Sequence, residues 1–182
     1  MDRFMDQLMD QFGIPALSIR CLKIPRESTD CGYDRVFSSC LGETFNRVNV
    51  VDPWICNDDQ VQNFLQFCIL LVRHSGDSLR IQLTTSRKSW KGRTRLDLAA
   101  DQAIANVDAI LGDILHVRYE DNLHDREFNF DNGWTVLIGR GLDYFLNYDN
   151  NMDLRPCRGT TIIIMQRIRR SVSGSSANSD AT

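Results

Sequence analysis

No apolar run in these 182 residues reaches the roughly 18 to 20 needed to cross a bilayer as a helix. The densest stretch, Phe64 to Val72, is broken by Gln66. Any membrane contact is therefore expected to be peripheral. Signal-peptide character is missing as well: Met1-Asp2-Arg3 is followed by Asp6 and Asp10, where a secretory leader has a basic start and an apolar centre, so the expected compartment is the cytoplasm. Metal-ligand spacing is absent. The six cysteines (Cys21, Cys31, Cys40, Cys56, Cys68, Cys157) contain no C-x2-C pair and the three histidines lie far from them, so no zinc site and no cofactor is expected, and the thiols read as reduced and buried. Nor is there an internal repeat or net positive charge. The formal charge of -3 by itself argues against nucleic acid or anionic lipid as a partner.

The distribution of charge reverses that argument. Arg87, Lys88, Lys91, Arg93 and Arg95 place five cations within nine residues, leaving -8 on the remainder. A composition of 42% hydrophobic and 25% charged residues suits one globular domain with a sizeable core. Apolar periodicity predicts a short amphipathic helix through Met1, Phe4, Met5, Leu8 and Phe12, with Asp2, Asp6 and Asp10 opposite, stopped by Gly13 and Pro15. Strands are expected at Ala16 to Leu22, Arg47 to Val51, Leu79 to Thr84, Ile114 to Tyr119, Glu127 to Phe130, Thr135 to Ile138 and Thr161 to Met165. Helices are expected at Tyr33 to Leu41, from an Asp59 cap through Val72, and at Leu96 to Leu111. Strands alternate with helices early and cluster late, the order of an α/β sandwich in which a mixed β-sheet is flanked by helices. After Arg170 the Ser-rich sequence holds nothing that could form a core and is expected to be a disordered tail.

One segment carries phosphate chemistry in altered form. His124, Arg126 and Asp131 reproduce an H-x-K-x4-D spacing with Arg in place of Lys. On an extended strand His124 and Arg126 point the same way, so the imidazole could attack phosphorus while the cation holds the charged oxygens. Arginine preserves the charge but replaces a compact ammonium with a planar fork, which suits binding better than in-line attack. The spacing resembles that of the phospholipase D superfamily, which implies two motifs face to face, one His as nucleophile and one as general acid, and this chain supplies one. An active site would require a homodimer.

The longer string HDREFNFDNGWTVLIGRGLDYF, with VDPWI, QNFLQFCILLV and IQLTTS before it and DLRPCRGTTI after, resembles the C-terminal domains of MIT-domain proteins across residues 16 to 168. The resemblance implies a phospholipase D-like fold over a domain of residues 16–170, with residues 1–15 as helix and linker and 171–182 as tail. It also implies a non-catalytic domain that binds acidic phospholipids such as phosphoinositides, forms a homodimer and works in cytokinesis. About fifteen residues before the domain are too few for a three-helix MIT module, so ESCRT-III binding is not expected.

Two places stand out for anion contact. Trp90 lies among the cations of the 87–95 loop; an indole settles at headgroup depth, and each nearby Lys or Arg adds about 1 kcal/mol toward an anionic surface. The same composition suits single-stranded nucleic acid, where an aromatic stacks a base and cations track phosphates. Arg140 sits between Gly139 and Gly141, whose backbone lets an anion approach closely; the competing reading is a tight turn with Arg140 paired to Asp143 or Asp153. The candidate lipid contacts are thus Arg87, Lys88, Trp90, Lys91, Arg93, Arg95, Arg126 and Arg140, with His124, Arg126 and Asp131 the catalytic set if the motif is active. No acyl groove is legible, so the alternative activity is a phosphodiesterase, a nuclease before a lipase.

Overall fold

The computed structural model describes residues 17–76, 78–86, 95–146 and 154–168. Within them a seven-stranded sheet runs in the order β1-β7-β6-β5-β2-β3-β4. Its strands are β1 (Leu17–Arg26), β2 (Arg47–Val51), β3 (Arg80–Thr85), β4 (Leu115–Tyr119), β5 (Glu127–Phe130), β6 (Trp134–Ile138) and β7 (Arg158–Arg167). The helices are α1 (Tyr33–Val36), α2 (Ser38–Leu41), α3 (Asp58–His74) and α4 (Arg95–Leu111), with a 3-10 turn at Gly112–Ile114. β2, β3 and β4 are parallel and joined by α3 and α4, while every other pairing is antiparallel. That mixture is the α/β sheet the element order implied.

Period-two burial explains the strands. Val48 and Val50, Ile81 and Leu83, Phe128 and Phe130, Val136 and Ile138, and Ile162 and Ile164 turn to one face and are buried. α3 returns Val61, Phe64, Phe67, Cys68 and Leu71 to that face, and α4 packs beside it with Ile104 and Val107 inward. Phe67 is the hub, its ring 4.7 Å from Phe37 and 5.4 Å from Phe128 by centroids. The expected single helix from Tyr33 to Leu41 is interrupted at Phe37, whose backbone leaves helical geometry so that the ring is fully buried. α3 is capped by Asn57 rather than Asp59: the Asn57 side chain accepts the Gln60 N–H at 2.9 Å, and Asp58 and Asp59 fill the first turn, where they complement the helix dipole. Val72, at the expected end of this helix, is 42% exposed.

All described helices lie on that one side of the sheet. Across the other face the register aligns Ile19, Met165, Thr135, Asn129, Asn49, Gln82 and His116 in one row, passing from apolar at β1 to polar at β4. No described helix is long and apolar enough to cross a membrane. The six thiols are all free, but not all buried as expected, since Cys21 is exposed and Cys31 and Cys56 are partly so.

Candidate anion-binding rim

One end of the sheet gathers the functional candidates. The C-terminal ends of β1, β2, β3, β4 and β6 and the N-terminal ends of β5 and β7 all meet there, as the pairs Arg26 with Arg158, Val51 with Glu127, Glu127 with Leu137, and Thr85 with Tyr119 require. Ligands of α/β sheets favour the carboxyl ends of parallel strands, and here β2, β3 and β4 point theirs at this rim.

His124 and Arg126 reach the rim, but not in the arrangement expected of them. Both precede β5 rather than lie on it; His124 is exposed, while the Arg126 side chain is 19% exposed. Arg126 is engaged from three sides. Its Nη1 donates to the Gly139 carbonyl at 2.5 Å, its Nε lies 3.7 Å from Asp52 Oδ1, and its Cζ stands 5.7 Å from the centre of the Trp54 ring. The ion pair is too long for a hydrogen bond, and Nε is buried without one. Arg126 is therefore a strut between β5 and the β6–β7 turn, not a fork open to phosphate. Asp131 is corrected too: it lies past the far end of β5, roughly 16 Å along the strand from Arg126 at about 3.3 Å per residue. There its carboxylate accepts the Asn46 N–H at 3.0 Å. The three motif residues do not share a site within one chain. Beside His124 an open cleft of about 570 Å³ is lined by Glu127, Leu137, Thr161, Ile163 and Met165 as well as Asp125 and Arg126, a mixed and partly acidic surface.

Asp52, which sequence reasoning took only as the end of a strand, organises this end of the molecule. It is 3% exposed and accepts the Trp54 N–H at 3.0 Å and the Leu142 N–H at 3.4 Å. Burial pushes its carboxyl up to about 6, against the opposing pull of those N–H groups and of Arg126. The Asp52-Pro53-Trp54 string after the expected strand Arg47 to Val51 was the available signal, because a carboxylate at a strand's carboxyl end is well placed for a site.

Arg140 is exposed in the turn closed by the Gly141 N–H donating to the Ile138 carbonyl at 2.9 Å. Asp143 is not its partner. Arg140 Nε donates to the Gly159 carbonyl at 3.0 Å, while Asp143 pairs with Arg158 at 3.0 Å and also accepts from Gln60 and Asn63. Asp153 lies outside the described residues. One nitrogen of Arg140 is thus tied to the start of β7, and the residue as a whole is exposed. Arg26, paired in the sheet with Arg158, is exposed beside it. Arg155 is 3% exposed, donates to Asn63 Oδ1 at 2.9 Å and lies 4.2 Å above the Phe145 ring, which makes it part of the core. Arg87, Lys88, Trp90, Lys91 and Arg93 lie outside the described residues, and of Arg95 only its place at the start of α4 is described. β3, from which that loop departs, ends at this same rim. Among the described residues no group of three or more His, Cys, Asp or Glu side chains is placed to hold a metal ion.

TrmBL2, an archaeal chromatin protein, aligns with a TM-score of 0.39 at 11% identity over 91% of this chain and 54% of its own. NucT from Helicobacter pylori aligns at 0.40 and 7% identity over 83% and 86%. MIT domain-containing protein 1 of Mus musculus is 36% identical over 151 residues, 79% of this chain, and the chain spans 60% of that relative's length. A family model for the phospholipase D-like domain at the C-terminus of MIT matches residues 30–166, most of the chain, and the protein belongs to that family.

Proposed function

We propose that this domain docks on anionic phospholipid, phosphoinositide included, as a non-catalytic phospholipase D-like module at the cytoplasmic face of a membrane. The observation that carries the reading is the rim itself. Arg26, Arg140 and Arg158 converge at the sheet end from which the 87–95 segment departs. Cations spread along one end of the sheet suit a charged surface better than a single bound phosphate; Arg26 and Arg158 share their charge with Glu27 and Asp143, and a cation such as Arg140 contributes about 1 kcal/mol near an anionic membrane before screening. Arg126, the motif cation, is spent on Asp52 and Gly139, which favours binding over turnover. A role in membrane remodelling during cytokinesis and homodimer formation belong to the same reading and rest on the family resemblance.

Paired assays on His124→Ala and Arg140→Ala test it. Vesicle binding and hydrolysis of a phosphodiester such as bis(4-nitrophenyl) phosphate are followed side by side. The reading expects His124→Ala to bind as the parent does, with no hydrolysis by either, and Arg140→Ala to bind several-fold more weakly. Hydrolysis by the parent that disappears in His124→Ala would replace it with a phosphodiesterase acting through a homodimer.

A further inference from the structure

Cys31 and Cys157 are brought together by segments 126 positions apart in sequence. Cys31 lies in the loop after β1, and Cys157 immediately precedes β7. Two backbone bonds clamp the segments, the Glu27 N–H to the Cys157 carbonyl at 2.7 Å and the Cys157 N–H to the Ser28 carbonyl at 2.8 Å. Tyr144 adds a third tie, its hydroxyl donating to the Cys31 carbonyl at 2.8 Å. The Cys31 thiol, which donates to the Thr29 carbonyl at 3.4 Å, lies close enough to Cys157 to interact with its thiol, and both are free. They differ in access, with Cys157 fully buried and Cys31 partly exposed. The loop that presents Cys31 is held in an unusual conformation, since Glu27 (φ 68) and Asp30 (φ 63) both occupy the left-handed region.

We propose that Cys31 and Cys157 form an oxidation site, in which a low-molecular-weight disulfide such as oxidised glutathione converts the pair into an intramolecular disulfide that staples the post-β1 loop to the start of β7. The accessible Cys31 thiolate attacks one sulfur of the glutathione disulfide; that S–S bond breaks and the first glutathione leaves as a thiol. Cys157 then attacks the Cys31 sulfur of the mixed disulfide, the protein S–S bond forms and the second glutathione leaves. The two cysteine protons end on the two glutathiones, and the two electrons the pair gives up reduce the glutathione disulfide. Order is set by environment. Burial first, and the neighbouring Cys31 second, push the Cys157 thiol up to about 12, so it is a poor entry point and a slow resolving group at neutral pH. Ring closure then accelerates with rising pH, by roughly tenfold per unit below that value. The new bond closes a loop over most of the chain, which restricts the unfolded ensemble.

The test treats the full chain with oxidised glutathione, quenches with an alkylating agent and reads intact mass, peptide map and Tm. Exposed Cys21, on β1, serves as an internal control for reaction with the reagent. The expected product has lost two hydrogens at the Cys31–Cys157 pair, shows the joined peptides and melts on the order of 5 °C higher than the reduced protein. Cys157→Ala stops at a glutathione adduct on Cys31, and Cys31→Ser leaves Cys157 reduced. Should Cys21 take up glutathione while Cys31 and Cys157 both remain alkylatable in the parent, the pair is not an oxidation site. A joined pair without a rise in Tm would overturn the staple.

Discussion

Asp52 combines deep burial with an arginine too far away for a hydrogen bond, and the balance has a measurable sign. Its folded pKa, about 6, lies above the roughly 3.9 of an unfolded aspartate. The folded state therefore holds the proton more tightly; the contribution is fully present below about pH 4 and is lost as pH rises through 6, amounting to about 3 kcal/mol. Asp52→Asn keeps an acceptor oxygen for the Trp54 N–H and removes the charge. Urea unfolding at pH 4 and pH 7.5 should show the parent losing roughly 2 kcal/mol more than the variant between those values, whereas equal losses would mean that burial of this carboxylate costs nothing. Gly141 is constrained by the same group. At φ +59, a Cβ there would run into the Asp52 carboxylate and the Arg126 stem. Gly141→Ala should lower unfolding stability on the order of 3 kcal/mol in a denaturant titration. None of this was legible beforehand, because the fate of Asp52 is decided by Arg126, Gly141 and Leu142, and Leu142 lies 90 residues along the chain.

Strand and helix positions were far easier to read than single-residue roles, since they follow from local periodicity. β2 and β5 fall where alternation puts them, and α3 where Val61, Phe64, Cys68 and Leu71 recur at helical spacing. The misses share a physical cause. Asn57 and Asp59 are both good caps, and the choice is made by Gln60, whose amide oxygen accepts the Cys56 N–H at 3.0 Å and so draws the helix start two residues earlier. Phe37 breaks its helix for the sake of packing against Phe67 and Phe128, a contact no local window contains. Phe67 is fully buried and touches Tyr33, Phe37 and Phe128. Phe67→Ala should cost 3 to 5 kcal/mol, about the full range for a buried phenylalanine, and a loss below about 1 kcal/mol in chemical denaturation would show that the cluster repacks.

At the scale of the molecule, sequence order implied a mixed α/β sheet and the motif strings implied the family, while the arrangement of charge required the fold. His124, Arg126 and Asp131 look like one unit along the chain, but an extended strand separates its ends, sending Asp131 to one end of the sheet and His124 to the other. Conversely Arg26, Arg140 and Arg158 are scattered in sequence and gathered by antiparallel pairing of β1 with β7 and by the turn after β6. The central claim is that this gathered charge binds anionic membrane. Co-sedimentation with neutral, phosphatidylserine and phosphoinositide vesicles, each at low and at physiological salt, tests it most directly. The account predicts no pelleting with neutral vesicles, pelleting with both anionic kinds at low salt, and a clear fall at higher salt as screening grows. Equal pelleting with neutral and anionic vesicles, or none with any, would contradict it.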